Sequence, residues 1–382
     1  MGRFALALAL LAAADLAVRR LIPAPDYEAN YTMPYNGLAH LRGLVRHVRA
    51  QREAGRRVVV FLGDSSARSR IPAGTPNLPE IYASILKSDP ACKGHDVAVY
   101  NFSVAGLDAA SKYFIVQALA DRVDAVIFNV NFRGFAARPK RAVPYPELWF
   151  ELKPGLTADD RAHLLSPPGA GELSRIGLVE NALEEGLGEV SALWGRRIEL
   201  KDLALQWWHP RQWLARAIAA DAVVRGGPAG RPRTVWDGPL AGFPADLRRK
   251  WLGSYADACR GDSVAAGPGS ADVYFLSRLY ALARTSRAVL VGYASPYSRW
   301  LNARSRFLDE RIYAGVAASV RKIPRDPERT LFIDYNDPAT AFDPVPGDRY
   351  SQAFEHWTHD GLRLFAARLH RDTRGLVIGA LR

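Results

Sequence analysis

The stretch Val58–Ile71, VVVFLGDSSARSRI, decides the architecture of this chain. Val58 to Leu62 is an unbroken apolar run with no polar alternation, as expected of a strand buried on both faces in a parallel sheet. Gly63 ends the run, and Asp64-Ser65-Ser66 follows with residue types that cap helices. A strand passing directly into a helix is half of a βα unit. Upstream, Leu38, Leu41, Leu44, Val45 and Val48 recur at helical spacing among basic residues, which predicts an amphipathic helix over 38–54, closed by Gly55.

The same grammar recurs downstream. Val97–Phe102, Ala125–Asn131, Val289–Tyr293 and Leu331–Tyr335 read as further buried strands, with helical stretches near 78–88, 108–121, 272–285 and 303–321 between them. Alternating strand and helix predicts an α/β fold, a three-layer sandwich with a parallel central sheet. The alternation breaks over 136–262, where Pro and Gly clusters separate helical pieces such as 172–193 and 211–224. The expected organisation is therefore a segment 1–24 apart from the fold, a first core part 25–135, a mostly helical insertion 136–262, and a second core part 263–382. Trp149, Trp194, Trp207, Trp208, Trp213, Trp236 and Trp251 all fall in the insertion, as an aromatic core of its own or as a surface offered to a ligand.

Open α/β sheets bind ligands beyond the carboxyl ends of their strands, and four groups stand at such ends. Ser65 follows the first strand at a helix amino terminus, where N–H groups and the dipole favour an oxyanion. Gly106 follows the second, in Asn101-Phe102-Ser103-Val104-Ala105-Gly106, and Asn131 ends the third, in Asn129-Val130-Asn131. Close to the carboxyl terminus, Glu355-His356-Trp357-Thr358-His359-Asp360-Gly361 precedes a last helix carrying Leu362, Leu364, Phe365 and Leu369. The order is serine, glycine, asparagine, histidine.

That order resembles the SGNH/GDSL hydrolase superfamily over roughly residues 56–135 and 285–375. The resemblance implies an SGNH hydrolase-like fold with Ser65 as nucleophile, His356 as base, and Gly106 and Asn131 as oxyanion donors. The third block departs from the superfamily's Gly-x-Asn-Asp, with Asn129 and Phe132 in the outer places. The string from His356 to Gly361 is similar to the last block of envelope SGNH proteins that O-acetylate polysaccharides. Such proteins usually carry an Asp two or three residues before the histidine; here those positions are Phe354 and Ala353. Glu355, Asp348 and Asp360 are the alternative acids, beside a Ser-His dyad supported by a backbone carbonyl. His359 competes with His356, whose distance to Gly361 fits the resemblance better. The other six histidines show no ligand spacing, and no metal or cofactor is expected.

Arg3 precedes an apolar run from Phe4 to Ala14, interrupted at Asp15 and closed by Arg19 and Arg20. This is the pattern of a signal peptide or a short membrane anchor, with small residues at Ala12 to Ala14 for cleavage. Read as an export segment it puts the chain in the cell envelope, anchored on the periplasmic side of the inner membrane or secreted; the alternative is an Ala/Leu-rich helix packed on a soluble domain. The 382 residues are 48% hydrophobic and 24% charged, which excludes a disordered chain, and carry a net charge of +12. The basic residues are scattered, 43 arginines to 8 lysines, and the densest group (Arg46, Arg49, Arg52, Arg56, Arg57) falls on and just beyond one amphipathic helix. No nucleic-acid partner is expected on that pattern; an anionic membrane surface or acidic polysaccharide suits the charge. Cys92 and Cys259 lack metal or redox spacing and are either one disulfide or two free thiols. The sequence thus points to a serine acyl-hydrolase or O-acyltransferase acting on an acyl ester or glycan substrate of the envelope. The alternative is a catalytically impaired, membrane-anchored accessory protein that binds a glycan or a membrane acyltransferase partner.

Overall fold

A computed structural model describes residues 2–21, 28, 41–68, 76–103, 107–131, 135, 141–142, 156–165, 191, 270–297, 310–342, 351–353 and 356–382. In chain order the helices are α1 (Gly2–Leu21), α2 (Leu41–Glu53), α3 (Ser65–Arg68), α4 (Leu78–Ser88), α5 (Ala109–Leu119), α6 (Ala158–Ala162), α7 (Ala271–Ala281), α8 (Glu310–Arg321) and α9 (His359–Leu381). The strands are β1 (Arg57–Leu62), β2 (Val97–Asn101), β3 (Ala125–Val130), β4 (Arg141–Ala142), β5 (Leu164–Leu165), β6 (Val289–Ala294), β7 (Thr330–Asp334), β8 (Ser351–Ala353) and β9 (His356–Trp357).

Five strands form one sheet in the order β2-β1-β3-β6-β7, every pair parallel. Because β1 has β2 on one side and β3 on the other, the chain reverses its direction of travel there, and the carboxyl ends of β1 and β3 are where sheets of this kind place a ligand. Side chains of β1 alternate between two cores, as the period of two demands. Val58, Val60 and Leu62 meet α2, α5, α7 and α8, while Val59 and Phe61 meet α4 and α9. The result is the three-layer α/β sandwich the alternation predicts.

Local chemistry sets the helix starts. Asn77 and Glu80 form a reciprocal capping box at α4, Asp108 accepts the Ser111 N–H at α5, and Thr358 accepts the Gly361 N–H at α9. The long α9 is clamped to the turn after α4. Asp89 accepts from Arg374 Nε at 2.7 Å and Nη2 at 2.9 Å and pairs with His370 Nε2 at 2.9 Å, and the Tyr82 and Thr373 hydroxyls meet at 3.0 Å. Cys92, beside this clamp, is a buried thiol, and Cys259 lies outside the described residues.

The start of the expected insertion is stitched to the core. Leu156 and Leu164 join the core on the α5/α7 side, Tyr274 donates to the buried Asp160 at 3.0 Å, and His163 stacks on the Tyr274 ring at 3.8 Å. The seven tryptophans of the insertion lie outside the described residues. At the other end of the chain, α1 exposes Leu6, Leu8, Leu10, Leu11, Leu16 and Leu21, and Asp15 within it pairs with Arg19 at 2.9 Å. Among the described residues no helix is long and apolar enough to cross a membrane.

Candidate active site

At the carboxyl end of β1 the chain turns through Gly63. A Cβ on Gly63 would lie closer than 3.0 Å to both Ala67 Cβ and Ser103 Oγ, so only a glycine lets α3 fold back against the end of β2. Asp64 follows and is buried. Its Oδ1 accepts the Ser66 N–H at 2.8 Å, the Ser66 hydroxyl at 2.7 Å and Asn129 Nδ2 at 2.7 Å. Its carbonyl accepts the Ala67 N–H at 3.2 Å. Asp64 is therefore the cap of α3, and it fixes the turn in which Ser65 sits. The helix is only four residues long. This trims the expectation of dipole assistance, since a single turn sums few peptide dipoles, and any oxyanion donation here must come from individual N–H groups.

Asn129 and Asn131 stand two residues apart on β3 and its end and so face the same side. Asn129 is fully buried, and its side-chain oxygen Oδ1 accepts the Asp64 N–H at 3.1 Å. Lys112, from α5, reaches the same region with an ammonium donating to the Asn129 backbone carbonyl at 2.7 Å and side-chain oxygen at 2.8 Å. Ser295, just past β6, completes the cluster, its hydroxyl 3.0 Å from that of Ser66 and 3.1 Å from Asn129 Nδ2. Asn131 is half-buried and hydrogen-bonds the Asp64 carboxylate. Burial pushes Asp64 up, but the Lys112 charge and the bonds from Ser66 and Asn131 outweigh it, and the carboxyl stays below its usual range.

The late histidine reaches this edge through β9. His356 pairs with Ala353 of β8 in an antiparallel ladder, and its neighbour Trp357 is buried, with Nε1 donating to the Pro296 carbonyl at 3.3 Å. The Trp357 indole also meets Phe342 edge-on at 5.2 Å. These contacts anchor β9 to the loop after β6, and β9 lies against α3. The turn that opens at Ser65 and the strand that opens at His356, far apart in sequence, are thus neighbours. Gly106, Glu355 and Asp348 lie outside the described residues, as do the side chains of Ser65 and His356. Of the other candidates, Asp360 is exposed in the first turn of α9, and His359, the first residue of that helix, has a buried Nδ1 without a hydrogen-bond partner.

Asn129, Lys112, Ser66 and Ser295 are absent from the residues singled out on sequence grounds as functional. Two carried a signal: Lys112 is the one charge in AASKYFIVQAL, and Asn129 the one polar residue in AVIFNV. A polar group inside a fully buried element must find partners or cost several kcal/mol, about 2–7 for an uncompensated amide, so each announces a network. Among the described residues no group of three His, Cys, Asp or Glu side chains gathers to hold a metal. No protein-family model matches this chain, and no curated protein matches it significantly.

Proposed function

We propose that this chain is an extracytoplasmic serine acyl-hydrolase or O-acyltransferase of the SGNH type, acting on ester-linked acyl groups of an envelope polysaccharide. The observation that carries this reading is the meeting of α3, which opens at Ser65, with β9, which opens at His356, beside Asn131 at the switch point of a parallel sheet. His356 takes the Ser65 hydroxyl proton as Oγ attacks the ester carbonyl. The oxyanion is held by the N–H groups of Ser65 and Gly106 and by the Asn131 amide. Collapse of the tetrahedral adduct breaks the ester C–O bond, the alcohol leaves with the proton from His356, and the acyl group stays on Ser65. Water in hydrolysis, or a sugar hydroxyl in transfer, then attacks the acyl carbonyl and gives its proton to His356; the acyl–Oγ bond breaks, His356 returns the proton to Ser65, and the acid or the new ester leaves.

Ser66 does not suit the nucleophile's role, because its hydroxyl is buried and committed to Asp64. The envelope setting draws support from α1, whose exposed leucines and terminal Arg19 and Arg20 suit insertion at an anionic lipid surface. The test uses the detergent-solubilised full chain with a chromogenic acetyl ester and a fluorophosphonate probe. Ester turnover and labelling in the wild type that vanish in Ser65→Ala and His356→Ala support the reading. Equal behaviour of wild type and Ser65→Ala refutes it, and glycan binding that survives both substitutions then favours the accessory-protein alternative.

A further inference from the structure

The least expected group at the site is Lys112, 4% exposed in a helix whose other described side chains are mostly apolar. An ammonium is costly to bury unless it is paired, and this one is held by two oxygens of Asn129. What Lys112 does that an apolar residue cannot is choose the direction of every hydrogen bond behind Ser65. Its Nζ donates only, so the Asn129 side-chain oxygen must face it, and the Asp64 N–H fills that oxygen's second lone pair. The Asn129 amide is thereby turned toward acceptors. One hydrogen goes to Asp64 Oδ1, and the other is shared by the hydroxyls of Ser66 at 3.0 Å and Ser295 at 3.1 Å. Asp64, an acceptor when ionised, is left to take the N–H and the hydroxyl of Ser66. The sequence of bonds runs from α5 through β3 to the turn that holds Ser65.

We propose that Lys112 is a positioning residue for the nucleophile: it fixes the Asn129 amide, which with Asp64 locks the α3 turn, so that the presentation of Ser65 depends on a buried cation on a different helix. This rests on the reading of Ser65 as the nucleophile. Without Lys112 the Asn129 amide can flip, and Asp64 loses the positive charge that helps keep it ionised. Among the described residues, the titratable groups that interact with the Asp64 charge are Lys112 from α5 and Tyr293 from β6, whose hydroxyl is pushed up by burial and then by the Asp64 charge. The strand β9, which opens at His356, lies against α3.

The experiment measures the second-order rate of fluorophosphonate labelling at Ser65 from pH 5 to pH 8, on the full chain, with circular dichroism to confirm folding. Lys112→Met is expected to label about tenfold to a hundredfold more slowly at neutral pH, the effect of a displacement near 1 Å. It should also lose labelling in acid more steeply than the wild type, because Asp64 without the cation protonates at higher pH and adds to the loss of the unprotonated base. Lys112→Arg keeps the charge and should follow the wild-type pH profile. Should Lys112→Met fail to fold, the double variant Lys112→Met/Asp64→Asn removes both charges and carries the test: slow labelling with the pH profile of the wild type supports the proposal. A labelled wild type beside an equally fast, folded Lys112→Met or double variant overturns the proposal alone. A wild type in which Ser65 takes no label overturns the nucleophile reading and the proposal with it.

Discussion

Replacing Gly63 by alanine adds one methyl group at the tightest point of the site, and its consequence can be worked from the geometry. The new Cβ would fall closer than 3.0 Å to Ala67 Cβ, part of α3, and 2.9 Å from Ser103 Oγ at the end of β2. Carbon atoms rest at about 3.5–4.0 Å, so at least about 0.5–1 Å must open between β1 and α3. The hydroxyl of Ser103 can rotate, but Ala67 has no such freedom and moves only with the turn that begins at Ser65. Overpacking of this kind costs about 1–3 kcal/mol of stability. A shift near 1 Å in a reacting group costs about a hundredfold in rate. Gly63→Ala is therefore expected to melt several degrees lower and to lose ester turnover and Ser65 labelling far beyond what the loss of stability accounts for. Gly63→Ala/Ala67→Gly removes the methyl group in the way and should recover much of the labelling rate. Wild-type labelling by Gly63→Ala, or no recovery in the double variant, would refute the steric argument.

Two further predictions probe other parts of the fold. Trp357→Phe removes the indole bond to the Pro296 carbonyl while keeping an aromatic ring against Phe342; it should cost about 1–3 kcal/mol in denaturant melts and lower kcat more than it raises KM, since it loosens the strand that carries His356. Asp89 is held well below the usual carboxylate range by Arg374, by the Ala91 N–H and by His370. Its contribution is complete above the unfolded value of about 3.9 and is lost as pH falls toward the folded one. Asp89→Asn should thus melt below the wild type at neutral pH, with the gap closing in acid below pH 4; a gap that stays constant with pH would show that the charge plays no part.

The strands and helices of the core were legible because burial on both faces of a parallel sheet leaves unmistakable apolar runs. Val58–Leu62 and Val289–Tyr293 lie within β1 and β6 almost residue for residue. Local signals also predicted that Asp64 or Ser65 would start a helix, because capping depends on neighbours in sequence. The short pairing of β8 with β9 was not foreseen, since two- and three-residue strands have too little periodicity to read. The network behind Ser65 was also missed. Lys112, Asn129, Asp64 and Ser295 come from four different elements, and their hydrogen bonds exist only once the sheet order brings those elements together.

By itself, then, the amino-acid sequence determined the fold class, the helix starts and the candidate chemistry at strand ends, all of which follow from short-range patterns of burial and capping. The tertiary structure alone decided that α3 and β9 are neighbours, that Asp64 serves as a cap held by Asn129 and Lys112, and that Trp357 ties the histidine strand to the loop after β6. Those facts depend on which distant segments share a buried space, where a donor without an acceptor is costly and every polar group must be matched.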